Sequence, residues 1–151
     1  MFIQVLISLA IIAATIFIHG VGTSLWLSYF LRKYNTQNQT IRFAKFMRIL
    51  SLTAIILMLL HYMEIALWAA VYFVIPELSQ LGTWEEAIYF SMITYTTVGY
   101  GDITLPAIWR VMSGFEAMNG ILLFGWSTAM FYAVAQRMMI INKTRNTNDQ
   151  D

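Results

Sequence analysis

The sequence predicts an all-α membrane protein built on three spanning helices, and three observations carry that class. Hydrophobic residues make up 59% of the chain and charged residues 11%, against roughly 45–50% and about 25% in soluble domains. The apolar residues arrive in long blocks, as spans require, rather than as a stripe along amphipathic helices. The bases are segregated so that an odd number of crossings is needed. The chain has no cysteine, which excludes a disulfide framework and any cysteine-ligated metal or iron–sulfur site.

The first apolar block covers residues 2–31, interrupted only by weakly polar residues and His19. It lacks a basic leading region and an A-x-A-like cleavage site, so it is read as a retained helix rather than a secretory leader. A polar loop, NTQNQT at 35–40, follows between bases. The second block covers 49–75 and stops at Pro76; the third covers 108–135. Each exceeds the roughly 20 residues that cross a ~30 Å hydrocarbon core. Residues 83–105 are too polar and too short to cross. After Gln136 the sequence turns polar, and a frayed tail is expected there.

The loop between the first two blocks carries Arg32, Lys33, Arg42, Lys45 and Arg48 with no acid, and the C-terminal segment carries Arg137, Lys143 and Arg145 against Asp149 and Asp151. The connection between the second and third blocks holds Glu77, Glu85, Glu86 and Asp102 against Arg110. Bases concentrate on the cytoplasmic side, which puts the N-terminus outside and the C-terminus inside. Trp26, Tyr29 and Tyr34 suit one interfacial belt, and Tyr72, Trp84 and Trp109 the other.

The chemistry is concentrated in TTVGYGD at 96–102. On this string, between two spans, the chain resembles the pore module of potassium channels: helix, pore helix, filter, helix. The likeness covers residues 46–137 and is to small bacterial-type channels, with one extra N-terminal helix. It divides the chain into an N-terminal helix with a basic loop (1–45), a pore domain (46–137) and a short cytoplasmic tail (138–151). It implies a homotetramer that passes K+ passively across a plasma membrane, or an inner membrane if the source is bacterial. The ion would be held by the backbone carbonyls of Thr97, Val98, Gly99 and Tyr100 and by the Thr97 hydroxyl, with Thr96, Gly101 and Asp102 shaping the loop. The Val98 and Tyr100 side chains would pack behind the filter. Carbonyls aim at one axis when positive φ recurs at alternate residues, and Gly99 and Gly101 stand two apart, where glycine adopts it freely.

The flanks have their own physics. Thr83-Trp84-Glu85-Glu86 has the form of a capping box, which starts a helix at about Trp84 that ends near Tyr95. A half-helix stopping inside the membrane aims its C-terminal carbonyls, roughly half a negative charge, at a cation below. Some members of the family carry an acid four residues before the filter threonine; here that position is Ile93, which removes the corresponding carboxylate coupling. No span repeats a base at every third position, so a voltage sensor is not expected. No ligand-binding domain, organic cofactor, nucleic-acid partner or enzymatic step is expected; K+ is the permeant ion.

Several residues lie outside the motif. Arg42, Lys45 and Arg48 read as positive-inside anchors that also contact anionic lipid. His19 and His61, on separate spans, leave open a haem-binding membrane protein, and a non-conducting accessory subunit is a further alternative. Gly20, Gly22, Gly120 and Gly125 are candidate close helix contacts, with a hinge at Gly120 as the other reading. Glu64 and Glu116 are acids inside spans, functional by default. Their depths, about 16 and 12 Å from the outer ends at 1.5 Å per residue, match the filter. Glu116 is expected to brace it by bonding 94–96 or the Tyr100 hydroxyl, with Glu64, His61 and Asn119 extending the network.

Overall fold

The computed structural model describes residues 2–34 and 42–148, with side chains through Ile141 except those of Ser79 and Gln80. Four α-helices form: α1 (Phe2–Tyr34), α2 (Phe43–Val74), α3 (Trp84–Tyr95) and α4 (Arg110–Asn148), with a 3-10 helix, Pro76–Leu81, between α2 and α3. Helices α1, α2 and the Arg110–Ile141 part of α4 are long and apolar enough to cross a membrane. Among the described residues there is no strand. The expected all-α membrane class is correct. The polar loop 35–40 lies outside the described residues.

The boundaries follow local chemistry. Pro76 disfavours helical backbone at the residue before it, and Ile75 is extended at φ −84°, ψ 112°, which ends α2. The capping box at the start of α3 forms as expected: the Glu86 amide donates to Thr83 Oγ1 at 3.2 Å, and the Thr83 amide to Glu86 Oε2 at 3.1 Å. At 12 residues α3 reaches about 18 Å, little more than half of a ~30 Å core. The far end of α4 departs from the expected frayed tail, because the helix continues without a break to Asn148.

Helix α1 packs against both α2 and α4 and is apolar on the outside. Its buried face is a run of mostly polar residues, Gln4, Ser8, Ile11, Thr15, His19 and Thr23, spaced by three or four. That inversion suits lipid, where nothing drives apolar residues inward and polar ones seek partners on neighbouring helices. Trp26 Nε1 donates to Thr53 Oγ1 on α2 at 3.1 Å, and Asn119 Nδ2 on α4 to Thr15 Oγ1 at 2.8 Å. Gly22 lets the helices approach, since a Cβ there would stand 2.5 Å from Leu60 Cδ2. Gly20 similarly faces the Trp126 ring of α4. An apolar cluster around Trp68, Ala69, Ala87, Phe90 and Leu123 wedges α3 between α2 and α4. Two residues of the expected outer belt belong to this interior instead: Tyr72 is fully buried and Trp109 nearly so.

Candidate functional site: the loop after the half-helix

The segment that follows α3 is irregular but held. The Thr96 amide donates to Met92 O at 3.1 Å, the Thr97 amide to Thr94 O at 2.9 Å, and the Gly99 amide reaches back to Ile93 O at 3.0 Å. Positive φ recurs at every second residue: Thr97 at 62°, Gly99 at 52° and Gly101 at 80°. The two glycines behave as the spacing predicts. Thr97 does not follow from propensity, because a β-branched residue in the left-handed region stores roughly 1–3 kcal/mol of strain. Such alternation turns successive peptide planes over, which lets consecutive carbonyls share one side.

The side chains expected to pack behind this loop stand largely exposed. Val98 is 52% exposed and Tyr100 73%. A cleft of about 610 Å³ is lined instead by Thr97, Gly99 and Gly101 of the loop, with Phe90, Ile93 and Gly114 in its other walls. Ile93 is buried, so no carboxylate stands beneath Asp102. Instead the Tyr89 hydroxyl on α3 donates to Asp102 Oδ2 at 2.7 Å, tying the end of the loop to the half-helix. That hydrogen bond holds the Asp102 carboxyl below the usual aspartate range.

Behind the loop lie the two intramembrane acids, both fully buried. Their partners differ from those expected. Glu116 does not reach residues 94–96 or the Tyr100 hydroxyl. It accepts from Ser91 Oγ at 2.5 Å, about one turn earlier on α3, and from the Tyr72 hydroxyl of α2 at 2.7 Å. The Ser91 hydroxyl also lies 2.9 Å from Ile65 O on α2. Glu64 is the acid that grips the end of α3: its Oε2 accepts from the Tyr95 hydroxyl at 2.5 Å. His61 Nδ1 lies 3.1 Å from the same oxygen, and His19 Nδ1, on α1, lies 2.8 Å from Oε1. Asn119 turns away to Thr15 and is not part of this group.

The Ser127 hydroxyl on α4 closes the cluster, 3.2 Å from His19 Nε2 and 2.9 Å from His61 Nε2. The imidazole centroids are 5.3 Å apart with both Nε2 atoms on one hydroxyl, which leaves no room for a porphyrin between them. This arrangement does not favour the haem alternative. Donor atoms of His19, His61 and Glu64 do gather within 4.8 Å, a spread a small cation could use. Each is already engaged by a hydrogen bond, so the cluster is complete without an ion.

Gly120 meets the same end of α3. A Cβ there would overlap the Tyr95 carbonyl oxygen, so close approach alone accounts for the glycine. Helix α4 runs unbroken through it. Gly125 has no neighbour within the subunit that a Cβ would touch, so the expected contact is not made there. Sequence reasoning did not find Tyr72, Ser91 and Tyr95 as partners of the acids, Ser127 as the partner of both histidines, or the reach of α1 into this region. The period of polar residues along α1 was the available signal.

Two membrane-spanning helices bracketing a capped half-helix and an irregular, glycine-bearing loop define a pore-type membrane protein. The family model described as "Ion channel" matches residues 49–137, more than half of the chain, and the protein belongs to that family. Helix α1 lies wholly outside the matched region. No curated protein and no solved structure matches the chain.

Proposed function

We propose that the protein is a potassium-selective channel subunit that works as a homotetramer. The observation that carries this reading is the alternation of positive φ at Thr97, Gly99 and Gly101 within a TTVGYGD string. A dehydrated cation needs oxygens in place of its water shell, and carbonyls of Thr97, Val98, Gly99 and Tyr100 supply one strand of them, with the Thr97 hydroxyl at the inner end. One strand is a quarter of a ring. Four chains close it, and the exposure of Val98 and Tyr100 leaves surface for neighbouring copies to cover. Thr96, Gly101 and the Tyr89–Asp102 bond set the two ends of the strand, while Glu64 and Glu116 hold the half-helix from behind. Permeation breaks no covalent bond, so no catalytic residue is assigned. The basic segments face the cytoplasm of a plasma membrane and the N-terminus lies outside.

The test is reconstitution of the purified chain into vesicles, with reversal potentials measured in opposed K+ and Na+ solutions and cross-linking in mild detergent alongside. The reading expects a potential that follows the K+ gradient and a ladder ending at four copies. A potential that does not move when Na+ replaces K+ refutes selectivity. Tetramers without current reduce the protein to an accessory subunit.

A further inference from the structure

On the side of the α1–α2 connection, remote from the loop after α3, a pocket of about 330 Å³ lies between α1 and α2. Its mouth carries three cations from two helices: Lys33 from the last turn of α1, and Lys45 and Arg48 from the start of α2. Aromatic rings steady the ammonium groups. Lys33 Nζ donates to the Tyr29 hydroxyl at 2.7 Å and lies 5.2 Å from that ring's centroid, and Lys45 Nζ lies 5.0 Å from the Tyr34 centroid. No carboxylate precedes Glu64 in the chain, so neither helix has an acid near this end. Three like charges converge on this pocket, two of them near the positive end of the α2 dipole, which suits it to an anionic group.

The floor is different. Trp26, Ile49 and Leu52 line it, on the membrane side of the cations. A cationic mouth over an apolar floor matches a molecule with an anionic head and an apolar tail, not a free inorganic anion. We propose that this pocket binds the phosphate headgroup of an anionic phospholipid in the leaflet facing the α1–α2 connection, with the start of an acyl chain against Trp26 and Leu52. The sequence alone points to Arg42, Lys45 and Arg48 for lipid contact. The pocket keeps Lys45 and Arg48 but takes Lys33 of α1 where Arg42 was expected. The site is thus shared with the helix that the family model does not cover, and it does not depend on which ion permeates.

Native mass spectrometry of the full-length protein in detergent tests the proposal, with dioleoyl phosphatidic acid, dioleoyl phosphatidylcholine and inorganic phosphate as probes. The parent should bind phosphatidic acid more tightly than phosphatidylcholine, and millimolar phosphate should not displace it. Each basic residue at an anionic surface is worth roughly fivefold in affinity, so the double substitution Lys33→Gln/Arg48→Gln should weaken phosphatidic acid about 25-fold and leave phosphatidylcholine unchanged. Lys33→Arg, which keeps the charge, should bind like the parent. Arg137→Gln removes a base at the same end of α4 but outside the pocket, and should have no effect. Equal binding of the two lipids by the parent overturns the proposal without any variant. So does an equal loss in Arg137→Gln, which would mean diffuse surface charge, and so does displacement by phosphate, which would mean a soluble-anion site.

Discussion

Replacing Tyr95 by phenylalanine is the sharpest way to ask whether the buried acids hold the filter or only the helices. Magnitudes select this substitution over the obvious one. Removing the Glu64 side chain would orphan His19 Nδ1, leave the Tyr95 hydroxyl and His61 Nδ1 only each other at 3.1 Å, and open a buried cavity. At about 1–3 kcal/mol for the orphaned group and roughly 2–5 kcal/mol for a large-to-alanine cavity, the loss reaches the lower end of the whole stability of a typical domain, about 5–15 kcal/mol. Glu64→Ala is therefore expected to fail at assembly. Tyr95→Phe deletes one oxygen, and Glu64 Oε2 keeps His61 as a partner. Interhelical polar contacts in membranes average about 0.6 kcal/mol and reach about 1.7. If that energy favours the conducting geometry of the filter, open occupancy falls roughly three- to eighteenfold, from RT ≈ 0.59 kcal/mol and the same contact energies. Single-channel recording in planar bilayers reads it as shortened openings, with cross-linking to establish that tetramers are intact. Parent-like dwell times from a Tyr95→Phe tetramer would show that Glu64 holds helices together and nothing more.

Three further outcomes are expected. Gly99→Ala or Gly101→Ala forces a Cβ into φ of 52° or 80°, at roughly 1–2 kcal/mol per residue; conduction or K+ preference should collapse, and a fully selective double variant would refute the carbonyl strand. Because the Tyr89 hydrogen bond holds the Asp102 carboxyl below its ordinary range, the tie is complete above the ordinary aspartate pKa and is lost as pH falls through the depressed value. External acid should then disturb the outer end of the loop at a higher pH in Tyr89→Phe than in the parent, and identical pH profiles would remove the tie from the account. With no native cysteine, Ser79→Cys should react with an impermeant thiol reagent on intact cells while Gln37→Cys and Asn146→Cys stay silent; labelling at 37 would invert the topology.

The spans, the half-helix and its cap were legible because each depends on a local signal: unbroken apolar length, a proline stop, or a reciprocal Thr83–Glu86 pair. Glu116 shows where such signals end. Counting residues along α4 brings it alongside α3, but which residues it meets depends on how three helices are rotated. That rotation gave it Ser91 and Tyr72 and left the lower end of α3 to Glu64. The positive φ of Thr97 was missed for a different reason. Local preference assigns positive φ to glycine, whereas here neighbouring hydrogen bonds from the Thr97 and Gly99 amides hold a threonine in it. The contribution of α1 was half-visible, since its polar period was in the sequence and its partners were far along the chain.

That separation bears on how the molecule is made. His19 meets Glu64 45 positions later and Ser127 108 positions later, while Thr15 waits for Asn119, 104 positions on. Synthesis delivers α1 first, its lipid-ready outer surface complete, its inner hydroxyls bonded only to its own backbone and His19 without a partner. The first helix to enter the bilayer is thus among the last to be satisfied, and a ribosome that stalls before α4 leaves His19 Nε2 without Ser127 and Thr15 without Asn119. Such a fragment carries its own mark of incompleteness, readable by any membrane quality-control protease that recognises unpaired polar groups between helices.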